Sequence, residues 1–540
     1  MSSPLVTLIL LALLSYGVIK LVARLRWSIQ ACQSVPSWNF QLFDTSKNLR
    51  FIGPEWPKGK LGDLTVGFQP YAEAGSTALA TVPLQTLQPC FWFSGAEACD
   101  QILQHGELFR KDMSSYAIAE FHGPNIVTSE GVVWKRHRHA VRGSFSEKNY
   151  PLVWDEAGRT LDEWFDALRL DVGAGDVEVD VITSLRKVTL NVIASAGFGQ
   201  HFPWKSSDAQ KSPTGMPFPT SIIHSMEHIF WRMLTPQWTY SLPVPQIAKT
   251  KLAYGEMERH IISLIYEGAR NDDIRDTERL IAPGSLLRGL LEANGALEDK
   301  LRLSDRELLS NIYVFLLAGH ETTAHTMTFV MAIFALYPNI HARVREETDS
   351  IWPDPAAYQA STYKSDFARL PYTLALFYET LRHLPSEPIL TRIVTQDTVL
   401  PASKRNSDTN KSDHEFDQEY IVMVPKDSVV VTDFYAMHMN TQYWGPTATD
   451  FDPSRFLSPN WPKHAFAPFS GGQRACIGRG FATAEAVRII AGVAQTWDIR
   501  CKEDLMEPSW EERKRRLLRW RQDVTKAPVD VRLMFSRRQR

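Results

Sequence analysis

Cysteine is scarce in this sequence: five residues in 540. That is too few for a disulfide framework. A reducing compartment is expected, and any important cysteine is more readily a ligand or a nucleophile. Net charge is lacking too. Lys and Arg number 59 against 61 Asp and Glu, a formal balance of −2. A chain gripping nucleic acid through bulk positive charge would not look like this, so no nucleic-acid partner is expected. Long apolar runs are missing everywhere but at the N-terminus, and mean hydropathy is −0.22, which excludes a polytopic membrane protein. Internal repeats, long low-complexity tracts and a nucleotide-binding glycine fingerprint are absent as well. What remains is 44% hydrophobic and 22% charged, the balance of a folded globular protein.

The one long apolar run begins at Pro4. No charge falls between Pro4 and Ile19, and the apolar character continues past Lys20, which can snorkel, to Ala23. About 20 such residues match the thickness of a bilayer. Lys20, Arg24 and Arg26 follow, and no Lys or Arg precedes the run. A positive flank marks the cytosolic side. A cleaved signal would want a basic segment before the run and a small-residue cleavage site after it, and neither is convincing here. The expectation is a single-pass anchor over residues 1–26 and a large cytosolic domain over 27–540.

Past Trp27 the pattern changes twice. Residues 36–94 mix Pro, Gly, Val and aromatics and read as short strands and turns. From Gly95 helical periodicity takes over, with amphipathic segments at 96–105, 130–142, 148–169, 181–198, 219–234 and 248–271. The stretch 304–336 predicts one long helix. Ser304 opens it with Glu307 three residues on, a capping box, and Pro338 marks its end. Apolar on all sides, it should run through a core rather than over one. Further helices are expected at 338–350, 371–384 and 477–495, and strands at 389–394, 420–424 and 428–432. Lys404 to Gln418 is polar and aperiodic and reads as a surface loop insertion. The fold class is mainly α with minor β sheets.

Cys476 stands at the entrance of the last predicted helix, where free N–H groups and the helix dipole favour an anion. A thiolate so placed can ligate iron. Around it, residues 469–478 read Phe-Ser-Gly-Gly-Gln-Arg-Ala-Cys-Ile-Gly. Gly471 and Gly472 permit a tight turn against a flat cofactor, Arg474 is placed to pair with a carboxylate, and Gly478 lets the helix approach. A lone cysteine is ordinarily a buried structural residue; the whole string argues otherwise. It fits Phe-x-x-Gly-x-Arg-x-Cys-x-Gly without a miss and resembles the haem-binding loop of the cytochrome P450 family. The resemblance implies the P450 fold behind an N-terminal transmembrane helix. It also implies haem b as cofactor and Cys476 as the axial iron ligand, with Phe469, Gly472, Arg474 and Gly478 around it.

Four other segments occur in the family's order. Glu379-Thr-Leu-Arg382 puts an acid and a base on one helix face. Arg455, in Phe451-Asp-Pro-Ser-Arg-Phe456, resembles the arginine that joins them in a buried structural triad, with Ser454 replacing the usual Glu. Trp134 and Arg138 share a helix face and can donate to a haem propionate, and Arg392 matches another propionate-binding arginine. Within the long helix lies Ala318-Gly-His-Glu-Thr-Thr323. A buried Glu is rare unless paired or functional, and Thr can bond back to the carbonyl four residues earlier. The segment resembles the family's oxygen-activating motif, which implies Glu321 and Thr322 as an acid–alcohol pair that delivers protons. His320 is given no role.

The resemblance spans about residues 50–535 and implies a monooxygenase. The stretch after Gly478 is too short for a flavin domain, so electrons are expected from a separate NADPH-cytochrome P450 reductase, with cytochrome b5 as a further donor. The endoplasmic reticulum membrane is the implied location, with membrane lipid as neighbour. The family's substrate contacts fall here on Phe121, Phe230, Phe315 and Ile389, which suit a hydrophobic small molecule of terpenoid, polyketide or fatty-acyl type in fungal secondary metabolism. Two alternatives stay open: a haem-thiolate isomerase or dehydratase that needs no reductase, and a non-catalytic haem sensor or electron carrier.

Overall fold

The computed structural model describes residues 4–41, 64, 66–172, 175–204, 216–235, 237–270, 285–298, 301–405, 416–502 and 509–538. The chain forms two compact units. The first is Met1–Asp112, Arg382–Phe451 and Asn460–Cys476; the second is Met113–Leu381, Asp452–Pro459 and Ile477–Arg540.

The first unit opens with the helix Pro4–Cys32. Its large apolar side chains are exposed from Val6 to Val22, and the span Leu8–Cys32 is long and apolar enough to cross a membrane. The helix continues past the expected boundary at residue 26. Its end seats on the unit's core: Ser28 Oγ donates to Leu87 O at 2.6 Å, and Ala31, Cys32 and Val35 join a buried cluster with Phe91, Phe93 and Val430.

A six-stranded mixed sheet frames this unit. Its order is Trp38–Gln41, Ala78–Pro83, Cys90–Phe93, Val429–Asp433, Ile389–Val394 and Phe109–Lys111. Cys90–Phe93 and Val429–Asp433 lie parallel at its centre, buried along their whole length. Strands covered on both faces carry apolar runs rather than alternation, as Val429, Val430 and Val431 do. A separate antiparallel ribbon pairs Thr398–Lys404 with Gln418–Val424, Leu400 opposite Val422. Lys404 and Gln418, read from sequence as the ends of a loop, are ladder partners; residues 406–415 of that insertion lie outside the described residues. Pro401 hid the first of these strands. In a two-stranded ribbon every strand is an edge, where proline is tolerated.

The helix Asp305–Leu336 runs through the second unit, buried on nearly every face. Its capping box forms as predicted: Ser304 Oγ accepts from Glu307 N–H at 3.3 Å, and Glu307 Oε2 accepts from Ser304 N–H at 2.9 Å. Val181–Val192 packs along it and passes into a π turn, Ile193–Gly197. Tyr150–Val172 packs on Arg479–Thr496. Gly480 makes that contact feasible, since a Cβ there would collide with Tyr150 Oη. Gly478, two residues earlier, is the N-cap of Arg479–Thr496. The predicted helix at 219–234 is two helices, Phe218–Glu227 and Ile229–Leu234. They break where His228 takes φ −103°, ψ 13°, outside the helical well. Leu286–Gly295, capped by Ser285, escapes the sequence reading. A small hairpin, Trp520–Gln522 with Lys526–Pro528, lies against the long helix.

Candidate active site

All five cysteines lie among the described residues and none is bridged. Cys32, Cys90, Cys99 and Cys501 are buried, and Cys476 is exposed. Burial pushes the Cys32 thiol up to about 12 and raises Cys99 and Cys501 as well, so none of these three offers a thiolate.

Glycine and a buried arginine shape the loop around Cys476. Gly472 has φ +62°, and a Cβ there would run into the carbonyl oxygen of Leu103. No other residue type fits that position. Ala475 N–H donates to Gly472 O at 3.2 Å, and Cys476 N–H donates to Phe469 O at 2.9 Å, which closes the turn. The loop's leading end hangs from His438, whose Nε2 accepts from Ala467 N–H at 3.1 Å. The proton then sits on Nδ1, which donates to Arg382 O at 3.3 Å. Arg382 is fully buried. It donates to His438 O at 2.7 Å, Ala448 O at 2.6 Å and Asp450 O at 3.2 Å. Carbonyl dipoles thus offset its charge, and Arg382 braces the cysteine loop.

The other two residues of the expected triad meet in the second unit. Arg455 Nε is 3.6 Å from Glu379 Oε1, which also accepts from Asp452 N–H at 2.8 Å. Arg392 is buried in the strand Ile389–Val394 of the first unit and donates to Thr391 O at 2.8 Å.

In the second unit, Trp134 is buried and Arg138 half-buried on the helix Gly131–Arg142. That helix is pinned to the start of the long one. Arg136 pairs with Glu307, and Asn311 Nδ2 donates to His137 Nδ1 at 2.9 Å. Burial lowers the His137 pKa, which keeps the ring a neutral acceptor. One turn after another, the middle of the long helix carries back-bonded hydroxyls. Thr322 Oγ1 donates to Ala318 O at 2.8 Å and Thr323 Oγ1 to Gly319 O at 3.3 Å, as expected from sequence. From the neighbouring helix, Thr189 Oγ1 donates to His320 O at 2.9 Å. Glu321 is buried and held by Arg186, whose Nη2 lies 3.1 Å from its Oε1. Burial raises the Glu321 pKa and Arg186 opposes the rise. His325, one turn on, places Nε2 3.3 Å from Arg186 Nη2 and Nδ1 3.2 Å from Thr525 Oγ1. His320 is buried, with Nδ1 2.6 Å from Leu316 O, and burial pulls its pKa down to about 4.

The residues expected to meet substrate lie in different settings. Phe121 is edge-on to Tyr254 at 5.8 Å, with the Arg232 guanidinium 5.3 Å from its ring. His122 and Tyr313 stand edge to face beside them at 4.8 Å. This neighbourhood is more polar than the sequence reading allowed. Phe315 is edge-on to Phe145 at 5.1 Å, Phe230 is half-buried in Ile229–Leu234, and Ile389 is buried in the first unit's sheet. Two residues with a clear bearing on the acid were missed. His325 had a signal, sitting at the i+4 position from Glu321. Arg186, 135 residues away, had none.

The donor set suits haem. One exposed thiol sits in a loop closed by glycine geometry, and guanidinium and indole N–H groups of the kind that bind propionates are present. Comparison with known proteins agrees. The cytochrome P450 family profile matches residues 85–522. Cytochrome P450 monooxygenase 124 of Postia placenta is 32% identical over 98% of this chain and 98% of its own length. Cytochrome P450 monooxygenase ORF6 of Penicillium roqueforti is 27% identical over 74% of this chain and 72% of its own. The bifunctional cytochrome P450/NADPH–P450 reductase 2 of Bacillus subtilis is 28% identical over 75% of this chain, which spans 35% of that protein. With a glycine-shaped cysteine loop, a Glu-Thr pair in its longest helix and a family match across most of its length, the chain belongs to the cytochrome P450 family of haem-thiolate monooxygenases.

Proposed function

We propose that this chain is a membrane-anchored monooxygenase that oxidises a hydrophobic small molecule, with haem b ligated by Cys476. The observation that carries the reading is the exposed thiol of Cys476 in a loop braced by Arg382 and closed on Phe469 O. Bound haem would supply O2 activation, its thiolate ligand pushing electron density toward the iron. The chain's own residues do the rest. Phe469, Gly472, Arg474 and Gly478 form the cradle of the ligand. Trp134, Arg138 and Arg392 hold the propionates through charge-assisted donors. Glu321 takes up protons and Thr322 passes them on at its hydroxyl. Phe121, Phe230, Phe315 and Ile389 hold the substrate and exclude water. Glu379, Arg382 and Arg455 keep the scaffold in register.

Electrons come from an NADPH-cytochrome P450 reductase, with cytochrome b5 as a second donor. The Bacillus relative supports this, because its name joins a P450 to such a reductase and this chain spans only part of it. The helix Pro4–Cys32 anchors the chain in the endoplasmic reticulum membrane, and Lys20, Arg24 and Arg26 keep the domain cytosolic. Fungal relatives support a place in secondary metabolism, and the substrate proposed is of terpenoid, polyketide or fatty-acyl type. The Glu321–Thr322 pair favours oxygen chemistry over isomerisation or dehydration.

The test is the difference spectrum of the reduced, carbon-monoxide-bound protein. A Soret band at the long wavelength of thiolate ligation is expected, and Cys476→Ala should abolish it. A band that survives the substitution sinks the assignment. Product should then require both NADPH and reductase; turnover without either would point to the isomerase or dehydratase reading.

A further inference from the structure

The Glu321 carboxyl is not free to turn. Arg186, from Val181–Val192, holds it at 3.1 Å, and the same Nη2 atom lies 3.3 Å from His325 Nε2. Because a guanidinium only donates, His325 Nε2 is the acceptor and the ring proton sits on Nδ1. That proton points at Thr525 Oγ1, 3.2 Å away, in the turn of the hairpin Trp520–Gln522 and Lys526–Pro528. His325 is almost wholly buried, so its ring has one place to stand. The arrangement runs from a surface turn, through an imidazole, to an arginine and then to the acid.

We propose that His325 is a positioning residue, which aims Arg186 at Glu321 and ties the proton-delivering acid to the C-terminal hairpin at Thr525. The proposal rests on the reading of Glu321 and Thr322 as the acid–alcohol pair. A neutral imidazole is what the latch requires. The charged and titratable groups facing it are Arg186 from the neighbouring helix, Arg521 and Asp523 from the hairpin, and His320 and Glu321 from its own helix. Burial, then Arg186, His320 and Arg521, pull the His325 pKa down to about 3, so the latch stays neutral through the working pH range. In a resting enzyme Arg186 keeps Glu321 turned toward Val181–Val192. Release of Arg186 would hand the carboxyl toward Thr322. Movement of the C-terminal turn therefore sets how often the acid is available.

Two substitutions test this in the full-length holoenzyme. His325→Leu removes both ring contacts, while His325→Gln keeps one acceptor and one donor. Every variant is first required to retain the thiolate Soret band. In His325→Leu, the share of NADPH electrons recovered in product should fall roughly tenfold, as misplaced catalytic groups do. The pH dependence of that share should shift, and His325→Gln should restore both to within about threefold. Hydrogen–deuterium exchange gives a readout independent of turnover. Segments 318–326 and 521–528 should exchange faster together in His325→Leu, and Thr525→Val should loosen both to a smaller degree. If exchange in His325→Leu matches the parent protein at both segments, the latch is wrong whatever the activity. If instead Glu321→Gln leaves electron recovery unchanged, the acid–alcohol reading beneath it is wrong.

Discussion

The cysteine loop is positioned by backbone. A left-handed glycine, a turn closed from Cys476 N–H to Phe469 O, and carbonyls gathered by Arg382 fix it. The acid in the long helix is positioned by side chains, with Arg186 and His325 reaching it from beyond its own turn. Backbone positioning fails abruptly, because a peptide cannot be displaced by a few tenths of an ångström without opening its hydrogen bonds. Side-chain positioning fails gradually, because rotamers and neighbours relax. One part of the molecule should therefore be brittle and the other tunable.

One pair of substitutions opens that contrast widest. Gly472→Ala asks a Cβ to occupy the place of the Leu103 carbonyl at positive φ, and should destabilise the protein by upwards of about 4 kcal/mol. Haem content per chain and thermal midpoint both report it. Retained haem at normal stoichiometry would mean that the loop is plastic and the left-handed glycine dispensable. Next is Arg382→Met, which leaves the carbonyls of His438, Ala448 and Asp450 without their donor. A loss of about 3 kcal/mol is expected in urea unfolding, with haem lost before the helices melt.

Acid sharpens the contrast from the other side. In the second unit, His341 is buried, stacked 4.2 Å from Phe334, and burial pulls its pKa down to about 3. The ordinary value is about 6.5. The unfolded chain thus takes up the proton first, and stability falls as pH drops from 6.5 toward 3. At pH 5 the penalty is about 2 kcal/mol. His341→Phe should remove it, narrowing the gap between urea midpoints measured at pH 7 and pH 5. An unchanged gap would clear His341 of any part in the acid limb. The smallest effect closes the comparison. Gly319→Ala brings a Cβ to 3.4 Å from Ile193, an ordinary contact, and gains helix propensity of about 1 kcal/mol. Its net change should stay within about 1 kcal/mol, against the collapse expected of the same substitution at Gly472.

The contrast also explains what could be read in advance. Cys476, Gly472 and Phe469 lie within eight residues of one another, and their spacing is dictated by one turn. The capping box at Ser304 and Glu307 and the back-bonds of Thr322 and Thr323 are likewise local, so the long helix was legible to within a residue. Arg186 was not, because a long-range partner leaves no trace in spacing. Nor was the bracing role of Arg382, whose acceptors include main-chain carbonyls that any residue could supply. The ribbon strand Thr398–Lys404 stayed hidden behind Pro401, and the polar setting of Phe121 arises from Arg232 and Tyr254, brought in by separate helices.

The first helix, Pro4–Cys32, has 29 residues, which is roughly 44 Å of rise. A hydrocarbon core takes up about 30 Å. The surplus is not a tether, because its final turn is bolted to the first unit through Ser28, Ala31 and Cys32. A leash lets its load swing, but a spar does not. Wherever this helix crosses a bilayer, a tilt or roll of the helix becomes a tilt or roll of the first unit, and the loop of Cys476 turns with it.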